Sequence, residues 1–448
     1  MRPGQAPDVG PGQGQRRAVL AHFVAGLRAE QDSWRRLATQ GEAPALEKHR
    51  SQLAAVETLL AGGIEEARAR LRTGELAGLP VFVLDLHHVW DYFRSKFALR
   101  RLAEYRDCLA VADELAWACY RAPLAAALGA GTAPAKEPPL VSFSRAAAPR
   151  AHRRGDQYRE LLPRGGIHTG AGLRLVRGLP FPVIDVPWYH ASHLPALLTV
   201  AHEAGHHVED DFGLAPEIGE RLADAALPDA ERERWRRWAG EVFADVCACV
   251  VCGVAYPGVL AETLGALVPE PAGPASLDHP PAAVRLGVCR AALERAGHPP
   301  AANWPKPLAA TLDESADGTP AAAEVAAALL DGGYERLGGA SLPELLAPRR
   351  PMPGAFREYP DMVHAGRLLA GVPSRHQRIP GVVAAAALAF MTDPDGYDSR
   401  RVGARATAEA LGLRPKGPRA DVPRTPARGA APDAEPGRLL LGALLGEP

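Results

Sequence analysis

The sequence predicts an α+β protein that is mostly α, and three observations predict it. Long stretches carry apolar residues at helical spacing with no proline between them. Short β-branched runs broken by Gly and Pro are concentrated in residues 173–189, "LRLVRGLPFPVIDVPWY". The later chain alternates helical pieces with Pro/Gly-rich joints. At 448 residues the chain is long enough for about two or three domains and a sizeable core.

Taken in order, residues 1–15, "MRPGQAPDVGPGQGQ", are rich in Gly and Pro and are expected to be disordered. Residues 16–135 read as a helical bundle or antiparallel arm, since "ALEKHRSQLAAVETLLAGGIEEARARL" and "HHVWDYFRSKFALRRLAEYRDCLAVADELAWACY" are long and contain no proline. Linker punctuation follows at "GAGTAPAKEPP" and "RAAAPRAHRRGD". Residues 173–189 suggest one or two strands, the prolines confining the second to a sheet edge. A helix capped by Ser192 comes next, with Leu194, Leu197, Leu198, Ala201 and Val208 as its apolar stripe. The charged "DAERERWRRW" and the apolar "VFADVCACVVCGV" complete a domain over residues 136–300. Residues 301–412 read as a helical region, and 413–448 as a flexible tail with a short helix at "GRLLLGALL".

Composition excludes some functions. With 51 basic and 52 acidic residues the net charge is −1, so nothing electrostatic points to nucleic acid or an anionic membrane. Cys108, Cys119, Cys247, Cys249, Cys252 and Cys289 are too dispersed for a disulfide framework, which makes a reducing, cytoplasmic setting the default. No apolar run reaches the ~18–20 residues a membrane span needs. "RRAVLAHFVAGLRAE" has paired arginines before an apolar run, but it contains a His, returns at once to charge and lacks a small-residue cleavage site. It reads as an amphipathic helix and not an export signal.

The chemistry is concentrated in "TVAHEAGHHVEDD". His202, Glu203 and His206 make an HExxH motif, in which residues four apart share a helix face and can grip one ion. The alternative is a surface helix with solvated histidines. Gly205, without a side chain, would let another backbone come close. A second element bears on the choice. "WAGEVFADVCACVVCGV" is apolar except for Glu241 and Asp245, one turn apart, and buried carboxylates need cationic or hydrogen-bonding partners. A metal held by the two histidines would serve Glu241, and Asp245 could accept the free ring N–H of one of them. An Arg from "RERWRR" is the competing partner. Cys247, Cys249 and Cys252, offset by two and five, do not converge on one helix face and read as small buried residues. His207 is expected to bond locally, His87 and His88 to pack at a helix interface, and Glu209, Asp210 and Asp211 to form a solvated helix end. Tyr189, His190 and His193 lie where strand meets helix and are possible cleft residues.

HExxH followed by Glu-x-x-x-Asp on a later helix resembles the gluzincin metallopeptidases. "LDHPPAAVR", with His279, Pro280 and Arg285, is similar to the His-Pro…Arg segment of one gluzincin group, the CAAX-prenyl endopeptidases and heat-shock membrane proteases. The resemblance runs over residues 175–290, and without that group's membrane spans. It implies a zincin-like core at 136–300, with Zn²⁺ as cofactor and His202, His206 and Glu241 as its ligands. It also implies Glu203 as general base to a zinc-bound water and His279 as a catalytic oxyanion contact, although "DHPP" also fits a plain turn into a helix. Arg285 would contact substrate or orient His279. Metzincins are a poorer match, since Glu209 and Phe212 stand where that family has Gly and a third His. The strand in "FPVIDVPWY" would offer an edge to an extended peptide. The expected function is a soluble zinc metallopeptidase acting on a peptide or protein. Two alternatives remain: a helical interaction protein whose N-terminal helices bind a protein partner beside a structural or inactive zincin domain, and a zinc hydrolase of a non-peptide amide.

Overall fold

The computed structural model describes residues 11–39, 46–154, 168–170, 180–266, 279–298, 304–314, 320–347 and 360–419. These residues are mostly helical with one small sheet, an α+β arrangement dominated by α. The chain divides into two compact units, Met1–Arg101 with Arg154–Phe181 and Lys416–Pro448, and Leu102–Arg153 with Pro182–Pro415.

The first unit contains α1 (Pro11–Leu37), α2 (Arg50–Thr73) and α3 (Leu79–Ala98), which pack on one another and bury residues such as Leu27, Leu59, Leu60 and Phe93. Residues 11–15, expected to be disordered, form the first turn of α1; extending a helix already nucleated costs little per residue, even through Gly12 and Gly14. Residues 1–10 lie outside the described residues. The proline-free stretch over residues 87–120 is not a single helix. α3 stops at Ala98 and a 3₁₀ turn, Leu99–Arg101, follows. Arg100 is buried there, donating from Nε to His49 Nε2 at 2.9 Å and from Nη1 to the Lys96 carbonyl at 3.0 Å. No proline or glycine marks the break; a tertiary hydrogen bond makes it.

The second unit begins with α4 (Ala103–Ala130), β1 (Leu140–Ser144), β2 (Arg150–His152), β3 (Val183–Pro187) and α5 (Thr199–Asp211). The sheet order is β1-β3-β2, with β1 parallel and β2 antiparallel to β3. Two corrections follow. The segments expected to be linker contain β1 and β2, and β3, expected at an edge, is central. Pro182 and Pro187 stand at the two ends of β3, so their missing N–H groups do not interrupt its paired middle, and the Pro182 carbonyl even accepts the Leu140 N–H at 3.0 Å. Residues 171–179, in the other expected strand, lie outside the described residues. α4 packs on α5 and β1, so the unit boundary falls at Arg101/Leu102 and not near residue 135.

α6 (Ala215–Asp224), α7 (Asp229–Arg237), α8 (Ala239–Cys252), α9 (Ala255–Ala266) and α10 (Ala282–Arg295) continue this unit. α11 (Lys306–Glu314), α12 (Pro320–Leu330), α13 (Leu342–Leu346), α14 (Pro360–Leu369), α15 (Ile379–Thr392), α16 (Pro394–Ser399) and α17 (Val402–Gly412) belong to it too. α12 packs on α10 and α15 on the turn before α5, so residues 301–412 are no separate region. "GRLLLGALL" lies outside the described residues. Among those described, no helix is long and apolar enough to cross a membrane.

Candidate metal centre

The centre forms where α5 packs on α8. A Cβ added at Gly205 would lie 2.8 Å from Ala244 Cα, closer than real Cβ atoms approach, so the absence of a side chain sets how near the helices come. Ser192 does not cap α5. A 3₁₀ turn over Leu194–Leu198 runs directly into Thr199, and Ser192 Oγ donates to the Tyr189 carbonyl at 3.3 Å. Pro195, lacking an N–H, fits that lead-in turn, and 3₁₀ geometry is common at helix starts.

His202 and His206 on α5 meet Glu241 on α8. Their Nε2 atoms lie 3.2 Å apart, His206 Nε2 is 3.4 Å from Glu241 Oε1, and His202 Nε2 is 3.5 Å from Glu241 Oε2. Ligand atoms about 2.0–2.1 Å from one ion at tetrahedral angles stand roughly 3.3–3.4 Å from each other. The donor set therefore fits a metal ion, and His202, His206 and Glu241 can hold one.

Behind this group, Asp245 is fully buried. Its Oδ1 is 2.9 Å from His202 Nδ1, and it accepts the Tyr256 hydroxyl at 2.6 Å and both Nε and Nη2 of Arg285 at 2.8 and 2.7 Å. With an ion bound, Nδ1 would keep its proton for Asp245 and Nε2 would present its lone pair to the ion. Burial opposes charge on all of these groups, but their mutual attraction outweighs it. Arg285 and His202 hold the Asp245 carboxyl well below the usual range, and the two histidines with Arg285 do the same for Glu241. Against its burial, Asp245 and Glu241 push the His202 imidazole up to about 10.

Arg285, expected to contact substrate or orient His279, is buried with its fork taken by Asp245 and Nη1 3.4 Å from Glu241 Oε2. It is the Arg partner expected from "RERWRR", supplied by α10 instead. His279 is largely exposed, with Nδ1 3.3 Å from Glu241 Oε1. Glu203 is buried and has no hydrogen bond or ion pair among the described residues. Cys247, Cys249 and Cys252 are buried free thiols. His207 is fully buried, and His87 Nε2 lies 3.3 Å from the Phe23 carbonyl. Tyr189, His190 and His193 stand outside the metal group. The Tyr189 hydroxyl donates to the Ala147 carbonyl and the His193 ring packs edge-on against Phe390.

The acidic end of α5 is not solvated as expected. Asp211 is buried and accepts the Tyr120 hydroxyl at 2.6 Å, because α4 covers that face. Glu209 is buried as well, beside Gly240. Glu209 and Tyr256 were not singled out for the centre from sequence. Glu209 carried a usable signal, since it follows His202 by seven residues and so shares its face; Tyr256 carried none. Compared with known protein families, characterised proteins and solved structures, the chain matches none.

Proposed function

We propose that this chain is a zinc-dependent metallopeptidase of gluzincin type, acting on peptide or protein substrates. The observation that carries the reading is the convergence of His202 Nε2, His206 Nε2 and the Glu241 carboxylate at separations of 3.2 to 3.5 Å. Two imidazoles and one carboxylate suit zinc, and His202, His206 and Glu241 would hold it as the three protein ligands usual where zinc is catalytic. When bound, the ion supplies a Lewis acid that polarises a carbonyl and makes water acidic near neutral pH.

The chain's own residues supply the remaining steps. Asp245 holds the His202 Nδ1 proton, and Arg285 with Tyr256 holds Asp245 in place. Glu203 is the general base: its carboxylate takes a proton from the attacking water and returns it to the leaving nitrogen. His279, exposed and next to Glu241, donates to the oxygen that gains charge in the transition state.

The test is to count zinc in the purified chain and to compare digestion of a peptide library by wild type and Glu203→Gln. One zinc per chain in both proteins is expected, with turnover at least ~100-fold lower in the variant. Zinc without turnover in either protein would overturn the peptidase and favour an interaction protein. Unchanged turnover in Glu203→Gln would remove the general base from the scheme.

A further inference from the structure

A cleft of about 480 Å³ opens beside the metal centre, its lining including His206, Glu241, Glu209, Arg153, Arg236 and Arg237. His202, His206 and Glu209 are spaced by four and then three residues, so one face of α5 leads from the centre into this cleft. The rim cations already have partners. Arg236 and Arg237 lie 3.3 and 3.4 Å from Glu233, and Arg153 lies 3.5 Å from Asp210.

Glu209 differs from them. It is only 8% exposed, its Oε2 is out of solvent, and neither carboxylate oxygen takes a hydrogen bond or ion pair from a described residue. A Cβ on Gly240 would come within 2.9 Å of that Oε2, so the absence of a side chain there is what admits the carboxylate. Burial pushes the Glu209 carboxyl above its ordinary value, against the pull of His206 and Arg153. A buried carboxylate without a donor is costly, and an incoming charged donor relieves the cost.

We propose that Glu209 is a specificity-determining residue that receives a cationic group of the substrate, an ammonium or a guanidinium, in the cleft leading to the metal centre; this rests on the metallopeptidase reading. Charge favours that choice over an acidic or neutral group. The partnered arginines on the rim offer little to an anion, whereas Glu209 and Glu241 repel one.

The test uses the zinc-loaded Glu203→Gln chain, so that binding is read without turnover. Calorimetry compares matched peptides in which one internal residue is Lys, norleucine or Glu, each with a free or an acetylated amino terminus. At least tenfold tighter binding is expected for a cationic member, with the preference lost in Glu203→Gln/Glu209→Gln that still holds zinc. A preference tracking Lys assigns the group to a side chain; one tracking the free terminus assigns it to the terminal amine. Equal binding of all the peptides, with free and acetylated termini alike, overturns the inference without any change at Glu209, as does a preference that survives Glu209→Gln. The two readings fail separately. Charge-selective binding with no wild-type cleavage sinks the peptidase and leaves the Glu209 subsite, whereas cleavage indifferent to charge does the reverse.

Discussion

In the second unit Asp245 meets His202 between two helices, and Asp185 meets His152 inside the sheet. The pairs look alike: both aspartates and both histidines are buried, and the contacts are 2.9 and 3.1 Å. Their surroundings differ. His152 sits on a three-residue strand, where no second imidazole can follow one turn later, and Asp185 also accepts the Ser142 hydroxyl. His202 uses Nδ1 for its aspartate, leaving Nε2 to face His206 and Glu241, whereas His152 uses Nε2 itself. Among the described residues only the helical pair joins a group that can hold a metal. A buried Asp–His contact is therefore not sufficient; a second imidazole at helical spacing and a carboxylate from another element are what distinguish the centre.

The largest effect should come from removing that carboxylate. Glu241→Gln is expected to weaken zinc binding by more than the ~10–100-fold typical of losing a residue behind a ligand, while Asp185→Asn leaves zinc unchanged. Titration against a competing chelator reads both. Zinc loss in Asp185→Asn would break the distinction.

Asp245→Asn sharpens it. Zinc affinity should drop ~10–100-fold, since His202 loses the acceptor that sets its tautomer. Stability should fall by about 3–5 kcal/mol, because the Arg285 charge stays buried without its partner. Asp185→Asn, which leaves no such charge behind, should cost about 0.5–1.5 kcal/mol. Denaturant unfolding of the two metal-free variants compares them directly, and equal losses would mean that Arg285 is not the reason.

What was legible in the sequence follows from the same distinction. His202, His206, Glu241 and Asp245 could be read together because helical spacing is a local rule and two carboxylates in an apolar run demand partners. Gly205 could be read as a close approach for a similar reason. Arg285 could be picked out but not placed, since whether its fork turns to substrate or to Asp245 depends on how α10 packs. The sheet was least legible. β1 and β2 are short, lie among Pro and Ala, and owe their pairing to partners 31 to 43 residues away. The break before α4 has no local marker, because Arg100 is drawn in by His49, 51 residues earlier in the chain.

The spacing of α5 and α8 gives a smaller, more distributed effect. Gly205→Ala puts a methyl group 2.8 Å from Ala244 Cα, against backbone that cannot rotate away. The helices must separate, at about 1–3 kcal/mol for overpacking of this kind. Because the imidazoles and Glu241 sit on opposite helices, zinc affinity should fall with stability, although no ligand has changed. A thermal melt and a chelator titration on the same variant test this, and an affinity loss without a stability loss would point to a local change at His206 instead.

The smallest expected effect concerns the thiols, of which Cys247, Cys249 and Cys252 share α8 with Glu241 and Asp245. Burial, with a further contribution from Asp113 at Cys108, pushes Cys108 up to about 12, and burial brings Cys119 to about 12. Cys247 and Cys249 are held well above the usual range, again chiefly by burial. A raised thiol pKa means less thiolate at any given pH, and alkylation needs the thiolate. At pH 8 the native chain should therefore react with iodoacetamide roughly a thousandfold more slowly than a free thiol of pKa ~8.5. Stripping zinc should leave that rate unchanged, because the metal group contains no sulfur. Mass spectrometry of alkylated peptides before and after chelation decides the matter. Rapid labelling of Cys247, Cys249 or Cys252 only once zinc is removed would move the metal from the His202–His206–Glu241 group to the cysteine run on the same helix.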